Sequence, residues 1–186
     1  MIGITSYGAY IPWNRLQRQS IFQAMGWYSP FTYGIAKGEK AVSNHDEDSL
    51  SMAVNAGANC VSGLDRGKIE GLFLASTTLP YDERMNASIA ATALDLKSQV
   101  SAADITGGLK AGTTAMISAL DALQAGRMNQ ALVLAADSRL GKPGGAYEHM
   151  FGDAAAAVLF GTENVIAEFK GSFSLIYNPK EQSISS

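Results

Sequence analysis

One predicted helix constrains the fold more than any other part of this 186-residue chain. It spans about residues 110–125, and over residues 111–120 (AGTTAMISAL) it carries no charge and mostly small side chains. A helix that is apolar all round is buried on every side. Charged residues make up 17% of the chain, against roughly a quarter in an ordinary soluble domain. Together these features predict that surface is buried against a partner, and we expect a dimer or a larger assembly.

The rest of the chain alternates apolar strands with helical patterns. The predicted strands are residues 2–11, 69–77, 100–106, 130–136, 154–160 and 165–175, and the predicted helices are residues 16–25, 46–63, 86–96 and 110–125. This alternation predicts an α/β sheet with right-handed crossovers. The length suits one domain, which we place at residues 1–177, followed by a polar, disordered tail at residues 178–186.

Composition excludes several classes of protein. The single cysteine, Cys60, excludes a disulfide framework and a cysteine-based zinc site, and two histidines leave little for a metal centre. The net charge of −3 argues against nucleic acid and anionic membranes as partners. The longest apolar runs are far shorter than the roughly 20 residues that span a bilayer. The first residues do not resemble a secretory signal, so we expect a cytoplasmic protein.

The segment ADITGGLKAGTTAM at residues 103–116 predicts a strand, a glycine pair and then the uncharged helix. Such a turn presents one side chain at a helix N-terminus, where unpaired N–H groups and a positive dipole are found. A cysteine at that point would have a lowered pKa and would be a good nucleophile. The residue at the tip of this elbow is Leu109, which has no nucleophilic chemistry.

This elbow resembles the catalytic elbow of the thiolase superfamily, in its hydroxymethylglutaryl-CoA synthase branch. The family pattern is approximately Ala-Cys-Lys-Ala-Gly-Thr, and residues 108–113 are Gly-Leu-Lys-Ala-Gly-Thr. Similar segments are IGI and YGAYIP within residues 2–12, GEKAV at 38–42, ADS at 136–138 and FGDAAA at 151–156. The resemblance covers almost the whole chain but only the N-terminal half of a thiolase-type subunit. It implies a thiolase-like half-domain with a mixed, mostly parallel sheet and a buried small-residue helix.

The chain departs from the family pattern at its catalytic positions. The nucleophilic cysteine falls on Leu109, and the acid/base glutamate of the synthase branch falls on Thr77 when Pro80 and Tyr81 are aligned. The family's catalytic histidine and asparagine belong to the C-terminal half. The resemblance therefore implies an acyl-CoA condensing family, while this chain is expected to be inactive alone.

The remaining polar residues have structural interpretations. We interpret His149 as a satisfied loop or rim histidine, His45 as a neighbour of a helix cap and Cys60 as a packing residue. The hydroxyl groups near the elbow are interpreted as helix caps and core filling: Thr106, Thr113 and Thr114.

The resemblance implies a coenzyme A thioester as the ligand, with no tightly bound cofactor and no metal. The phosphates of this ligand would attract cations at the mouth of a cleft, although the favoured interpretation of each candidate is a solvated surface cation. The candidates are Lys37, Lys40, Arg139 and Lys142.

Two classes of function stay open, an acyltransferase half and a non-catalytic assembly subunit. A further enzymatic alternative is a cysteine-less, thiolase-like aldolase component, in which a tyrosine serves as acid/base beside an OB-fold, zinc-bearing partner. Tyr81 and Tyr147 are the tyrosines expected near the cleft, but neither is matched to that role by position, and burial of their rings is the favoured interpretation. The expected protein partners are a second copy, joined at the edge strand 100–106, or a complement carrying the C-terminal half. A Rossmann nucleotide-binding protein ranks low because no Gly-x-Gly-x-x-Gly follows the first strand.

Overall fold

The computed structural model describes residues 1–175, so the predicted tail at 178–186 lies outside the described residues. The strands are β1 (Gly3–Tyr10), β2 (Asn14–Gln17), β3 (Glu39–Val42), β4 (Gly71–Ala75), β5 (Ser101–Ile105), β6 (Gln130–Asp137), β7 (Ala154–Gly161) and β8 (Ala167–Glu168). The helices are α1 (Arg18–Met25), α2 (Ser49–Cys60), α3 (Asn86–Ala93), α4 (Ala111–Gln124) and α5 (Ala146–Met150). None of these helices has the length and apolarity that crossing a bilayer requires.

One mixed sheet organises the chain, with the strand order β5-β4-β6-β7-β1-β8. β4 pairs in parallel with β5 and β6, whereas β7 is antiparallel to β6 and β1, and β8 is antiparallel to β1. Four strands (β5, β4, β6 and β1) therefore run in one direction. This confirms the predicted α/β class and the mostly parallel sheet, and it places β5 at an edge.

Side chains of the central strands alternate between two cores. On β6, Leu132 and Leu134 pack with α2 and α3 on one face, while Val133 packs with α4 on the other. Since successive strand residues point to opposite faces, a continuous apolar run is what a strand covered on both faces requires. The predicted buried strand at 130–136 has this arrangement.

The start of α2 shows how local chemistry sets a boundary. The Asp48 side chain accepts a hydrogen bond of 2.7 Å from the Ser51 backbone N–H, and the Ser51 hydroxyl in turn caps the Asp48 N–H. This capping box begins the helix at Ser49. The acidic residues 46–48 therefore precede the helix, and the prediction that they form its first turn is wrong.

The predicted strand at residues 165–175 is largely wrong. Only Ala167–Glu168 forms a strand, because the antiparallel partner β1 begins at Gly3 and pairs Gly3 with Glu168. Beyond that pair, the Phe169 N–H still donates to the Ile2 carbonyl, and the chain then leaves the sheet.

The chain itself buries only one side of α4. Its alanines 111, 115, 119 and 122 are buried with Leu120 and Leu123 against the sheet. Thr113 and Thr114 on the other side are exposed. Cover on every side of this helix, which its composition predicts, is thus not supplied by residues 1–175.

Candidate functional site

The elbow between β5 and α4 has the predicted form. Gly107 adopts φ +87°, a left-handed conformation that L side chains rarely take, and the chain then turns through Gly108 into the helix. The Leu109 side chain is 79% exposed at the tip. The first turn of α4 therefore begins two residues after this accessible leucine.

A cavity of about 290 Å³ lies beside this elbow. Gly108 and Leu109 line it from the elbow, Ser76 and Thr77 from the end of β4, and Asp137 from the end of β6. These are the carboxyl ends of neighbouring parallel strands, where α/β sheets place ligand sites. The structure therefore brings Leu109 and Thr77, the two positions matched to the family's nucleophile and acid, to one cavity.

Asp137 organises the polar side of the cavity. Its Oδ1 accepts hydrogen bonds from the Thr77 N–H at 2.6 Å, from the Ser76 and Thr77 hydroxyls at 3.0 Å each and from the Thr78 hydroxyl at 3.3 Å. The Thr77 hydroxyl hydrogen is thus directed to a carboxylate. Asp137 and not Thr77 is the ionisable group at this end of the cavity.

Asp137 is a site residue that was not predicted, although the sequence carries a signal for it. The residue closes a buried strand, and it belongs to the Ala-Asp-Ser segment that carries part of the family resemblance. An acidic side chain at the carboxyl end of a buried strand faces the same sheet edge as the elbow. What the pattern could not show is that β4 and β6 are neighbours.

The one cysteine lies outside this cavity. Cys60 is buried at the end of α2, and burial raises the pKa of its thiol, which outweighs the lowering effect of hydrogen bonds involving Ser6 and Leu159. The thiol is therefore protonated at neutral pH and packs in the core, as its position in the helix predicts.

None of the four basic residues considered for phosphate binding lines the elbow cavity. Lys40 donates a hydrogen bond of 2.6 Å to the Glu148 carbonyl, and the Arg139 guanidinium lies 4.1 Å from the centroid of the Phe151 ring. Lys142 is exposed on the same loop, residues 138–153, and Lys37 is exposed beside Gly38. Arg139 and Lys142 thus belong to one loop, and Lys40 is hydrogen-bonded to it.

Neither tyrosine considered as an acid/base lines the cavity. Tyr147 stacks on Phe151 with ring centroids 4.8 Å apart, and its side chain is exposed. Tyr81 is exposed in the loop before α3, where its backbone contacts Asn86. In residues 1–175 no cluster of three or more metal-binding side chains is found.

The expectation for His149 is wrong. This residue is 1% exposed, and neither of its ring nitrogens has a hydrogen-bond partner among residues 1–175. Its backbone carbonyl accepts a 2.7 Å hydrogen bond from Arg18 Nε, so the main chain of α5 is held while the ring is not. His149 is a buried, unpaired imidazole and not a rim residue.

Replacing His149 with phenylalanine is expected to leave stability unchanged or to raise it by about 1 kcal/mol, because a ring of similar shape carries no polar group to desolvate. Thermal unfolding measures the change, and His149→Ala, which leaves a cavity, is expected to destabilise by about 2 kcal/mol or more. A large loss in the phenylalanine variant would show that the imidazole forms a bond in solution.

Comparison with known proteins finds similarity to hydroxymethylglutaryl-CoA synthases. No family model matches the chain. It is 34% identical over 180 residues to hydroxymethylglutaryl-CoA synthase of Methanocaldococcus jannaschii, which covers 94% of this chain and 51% of that protein. The corresponding enzyme of Archaeoglobus fulgidus is 33% identical over 177 residues, again 94% and 51%. The chain thus spans about half the length of the curated relatives it matches.

Solved structures show the same fold. A 3-oxoacyl-(acyl-carrier protein) synthase from Burkholderia xenovorans superposes with a TM-score of 0.79 at 18% identity, over 88% of this chain and 49% of that one. An HMG-CoA synthase complexed with CoA superposes with a TM-score of 0.78 at 20% identity, over 87% and 42%. At these identities the likeness shows the fold alone.

Proposed function

Because this chain is a thiolase-like relative of the hydroxymethylglutaryl-CoA synthases that spans about half of their length, we propose that it binds the acyl end of a coenzyme A thioester. The observation that carries the proposal is the elbow cavity, which joins Leu109, Thr77 and Asp137 at the start of α4. An HMG-CoA synthase with this fold forms a complex with CoA, which supports the ligand class.

The elbow can hold an acyl carbonyl without forming a bond to it. The Ala111 N–H donates to the Gly108 carbonyl and the Thr114 N–H to the Lys110 carbonyl, which leaves the N–H groups of Gly112 and Thr113 to favour a partial negative charge such as a thioester oxygen. Leu109 supplies an apolar contact at the point where a nucleophile would attack. Binding at this site would therefore be reversible, and no acyl-enzyme would form.

The nucleotide end of the ligand is proposed to lie on the loop of residues 138–153. Arg139 and Lys142 belong to this loop, and Lys40 is attached to it through the Glu148 carbonyl. Guanidinium and ammonium groups are the side chains that bind phosphates. Because these groups lie outside the cavity, a ligand would have to extend from the elbow to the loop.

Catalysis by this chain alone is not part of the proposal. The ionisable group of the cavity is Asp137, whose Oδ1 already accepts bonds from three neighbouring residues. The non-catalytic alternative, an assembly subunit, is favoured by the leucine at the tip of the elbow. A partner that completes a reaction stays a prediction; it would be an OB-fold, zinc-bearing protein or a chain carrying the other half. A cytoplasmic location also stays a prediction.

Titration of the protein with acetyl-CoA and acetoacetyl-CoA tests the proposal. Saturable heat with a Kd below about 1 mM, equivalent to roughly 4 kcal/mol, is expected because the cavity is preformed. Gly112→Leu should abolish binding, since Gly112 lines the cavity and a larger side chain would enter it. Ala93→Leu places the same side chain at an exposed position of α3 and should bind like the parent.

Absence of binding by the parent protein at millimolar ligand would overturn the proposal in favour of the assembly subunit. Equal binding by the Gly112→Leu variant would place the ligand outside the elbow cavity. Free CoA, which lacks the acyl group, should bind more weakly than acetyl-CoA if the acyl end enters this cavity.

A further inference from the structure

The loop of residues 138–153 is attached to the rest of the chain at both ends and in its middle. At the ends, the Ser138 hydroxyl lies 3.1 Å from the Ser43 hydroxyl, and the Asp153 carboxylate accepts a 2.7 Å hydrogen bond from the Ser43 N–H. In the middle, α5 packs against α1 and residues 30–35. The packing of α5 therefore decides whether the middle of this loop stays closed.

Two cations hold the backbone of α5 at the residue that carries the buried imidazole. Arg18 Nε donates a 2.7 Å hydrogen bond to the His149 carbonyl, and Lys40 Nζ donates one of 2.6 Å to the Glu148 carbonyl. The His149 ring is 1% exposed, and neither of its nitrogens has a partner among residues 1–175. Two positive charges are thus fixed on successive residues beside an imidazole that has no acceptor for an added proton.

The two elements packed against α5 bring no negative charge to the ring. The one formal charge in α1 is that of Arg18, and residues 30–35 have none. The other ionisable group in those two elements is the Tyr33 hydroxyl, on a residue that is 67% exposed. A protonated His149 would therefore face a cation and no carboxylate from either element.

The carboxylates nearest to His149 along the chain are already bonded elsewhere. Glu148 accepts a 2.7 Å hydrogen bond from the Gly144 N–H, and Asp153 accepts the bond from Ser43. The remaining ionisable group of α5 is the Tyr147 hydroxyl, on a residue that is exposed. Charging the imidazole in the closed loop would thus bury a cation without a counter-ion, which is strongly unfavourable.

We propose that His149 is a pH-sensitive switch for the loop of residues 138–153. The loop is closed while the imidazole is neutral, and protonation opens the contact of α5 with α1 and residues 30–35 because the charged ring must reach water. Histidine is the side chain that changes charge nearest to neutral pH. The closed form is therefore favoured at pH 7 and above, and it loses stability as the pH falls below about 6.5.

Opening would displace the cations of the loop as well as the ring. Arg139 and Lys142 belong to the loop, and Lys40 is bonded to it at Glu148. The arrangement of these three cations is thus expected to be fixed at neutral pH and lost in mild acid. The switch itself rests on the surroundings of His149 and does not require that any ligand binds there.

Hydrogen exchange of the full chain, read by mass spectrometry at pH 7 and pH 5 and corrected for intrinsic rates, tests the proposal. The reporting amides lie in and beside α5, where the Glu148 N–H donates to the Gly145 carbonyl and the Phe151 N–H to the Tyr147 carbonyl. Their opening equilibrium constant is expected to rise about 25-fold from pH 7 to pH 5, if an imidazole freed into solvent is half-protonated near pH 6.5. Amides of β6 should change far less, because the opening is local.

His149→Phe should remove most of this increase while the loop carboxylates stay in place. The matched control is His45→Phe, which removes the other of the two histidines from a side chain that is 93% exposed and should keep the full increase. Circular dichroism establishes that each variant is folded, and His149→Leu replaces a phenylalanine variant that is not.

A parent loop whose opening is the same at pH 7 and pH 5 overturns the proposal, whatever the variants do. So does a His149 variant that keeps most of the increase, which would assign it to Glu148 or Asp153, and so does its loss in His45→Phe. Equal increases in the loop and in β6 would show global unfolding and would also overturn it. No acyl-CoA enters this test, so its outcome is independent of the proposed ligand.

Discussion

Replacing Asp137 with alanine is expected to lower the free energy of unfolding by about 3 kcal/mol, because hydrogen bonds to a charged acceptor contribute roughly 1.5–3 kcal/mol each. The Asp137 carboxylate accepts from the Thr77 N–H and from the hydroxyls of Ser76, Thr77 and Thr78. Ser76 is 3% exposed, so its hydroxyl would be left buried without this acceptor. Urea unfolding, with the slope compared between variants, measures the loss.

Two further variants distinguish the loss of the Asp137 hydrogen bonds from a general effect of removing a negative charge. Asp137→Asn keeps one acceptor oxygen and should lose less stability than Asp137→Ala. Asp82→Ala removes an exposed carboxylate from the loop before α3 and should change stability by no more than about 0.5 kcal/mol. Equal effects of Asp137→Ala and Asp82→Ala would show that the network contributes nothing in solution.

Changing Leu109 to cysteine is expected to create a reactive thiol that accepts the acetyl group of acetyl-CoA. At the N-terminus of a helix the pKa of a thiol falls from about 8.5 to about 7.5 or lower, which gives about tenfold more thiolate at neutral pH. The thiolate would attack the thioester carbonyl, its proton having gone to solvent, and the CoA thiolate would leave. Intact-protein mass and released CoA thiol measure the reaction.

The control for this prediction is Leu140→Cys, because Leu140 is 96% exposed but lies in the loop after β6. Cys60 provides no competing background, since burial raises the pKa of its thiol. If the thiols at positions 109 and 140 react alike with both iodoacetamide and acetyl-CoA, the elbow neither activates a nucleophile nor positions an acyl group. That result would contradict the proposed acyl site.

Much of the site could be predicted from the chain because its signals are local. The glycine pair before α4 identifies an elbow, since Gly107 adopts a conformation that other residues rarely take, and Leu109 then follows at the tip. The alignment of Thr77 with the family's acid placed it near Leu109, and both residues line the cavity. The prediction that basic residues bind phosphate was weaker, because no local sequence pattern distinguishes a phosphate-binding cation from a solvated one.

The mistaken expectations share a different cause. His149 follows a glycine-rich loop, where a histidine is typically at the surface, but the packing of that loop leaves it 1% exposed. The segment at 165–175 has the composition of a strand, but its length as a strand was set by where β1 begins. Each of these outcomes depends on residues distant in the chain.

The sequence by itself determined the α/β class, the elbow and the uncharged helix, because apolar periodicity, glycine conformation and helix-end chemistry act over a few neighbouring residues. Only the tertiary structure decided that Asp137 holds Thr77, that His149 is buried without a partner, and that one side of α4 stays open. The first and third arise where β4, β6 and α4 meet across the sheet, and the second arises where α5 packs against α1 and residues 30–35. Contacts between segments so far apart leave no local pattern in the chain.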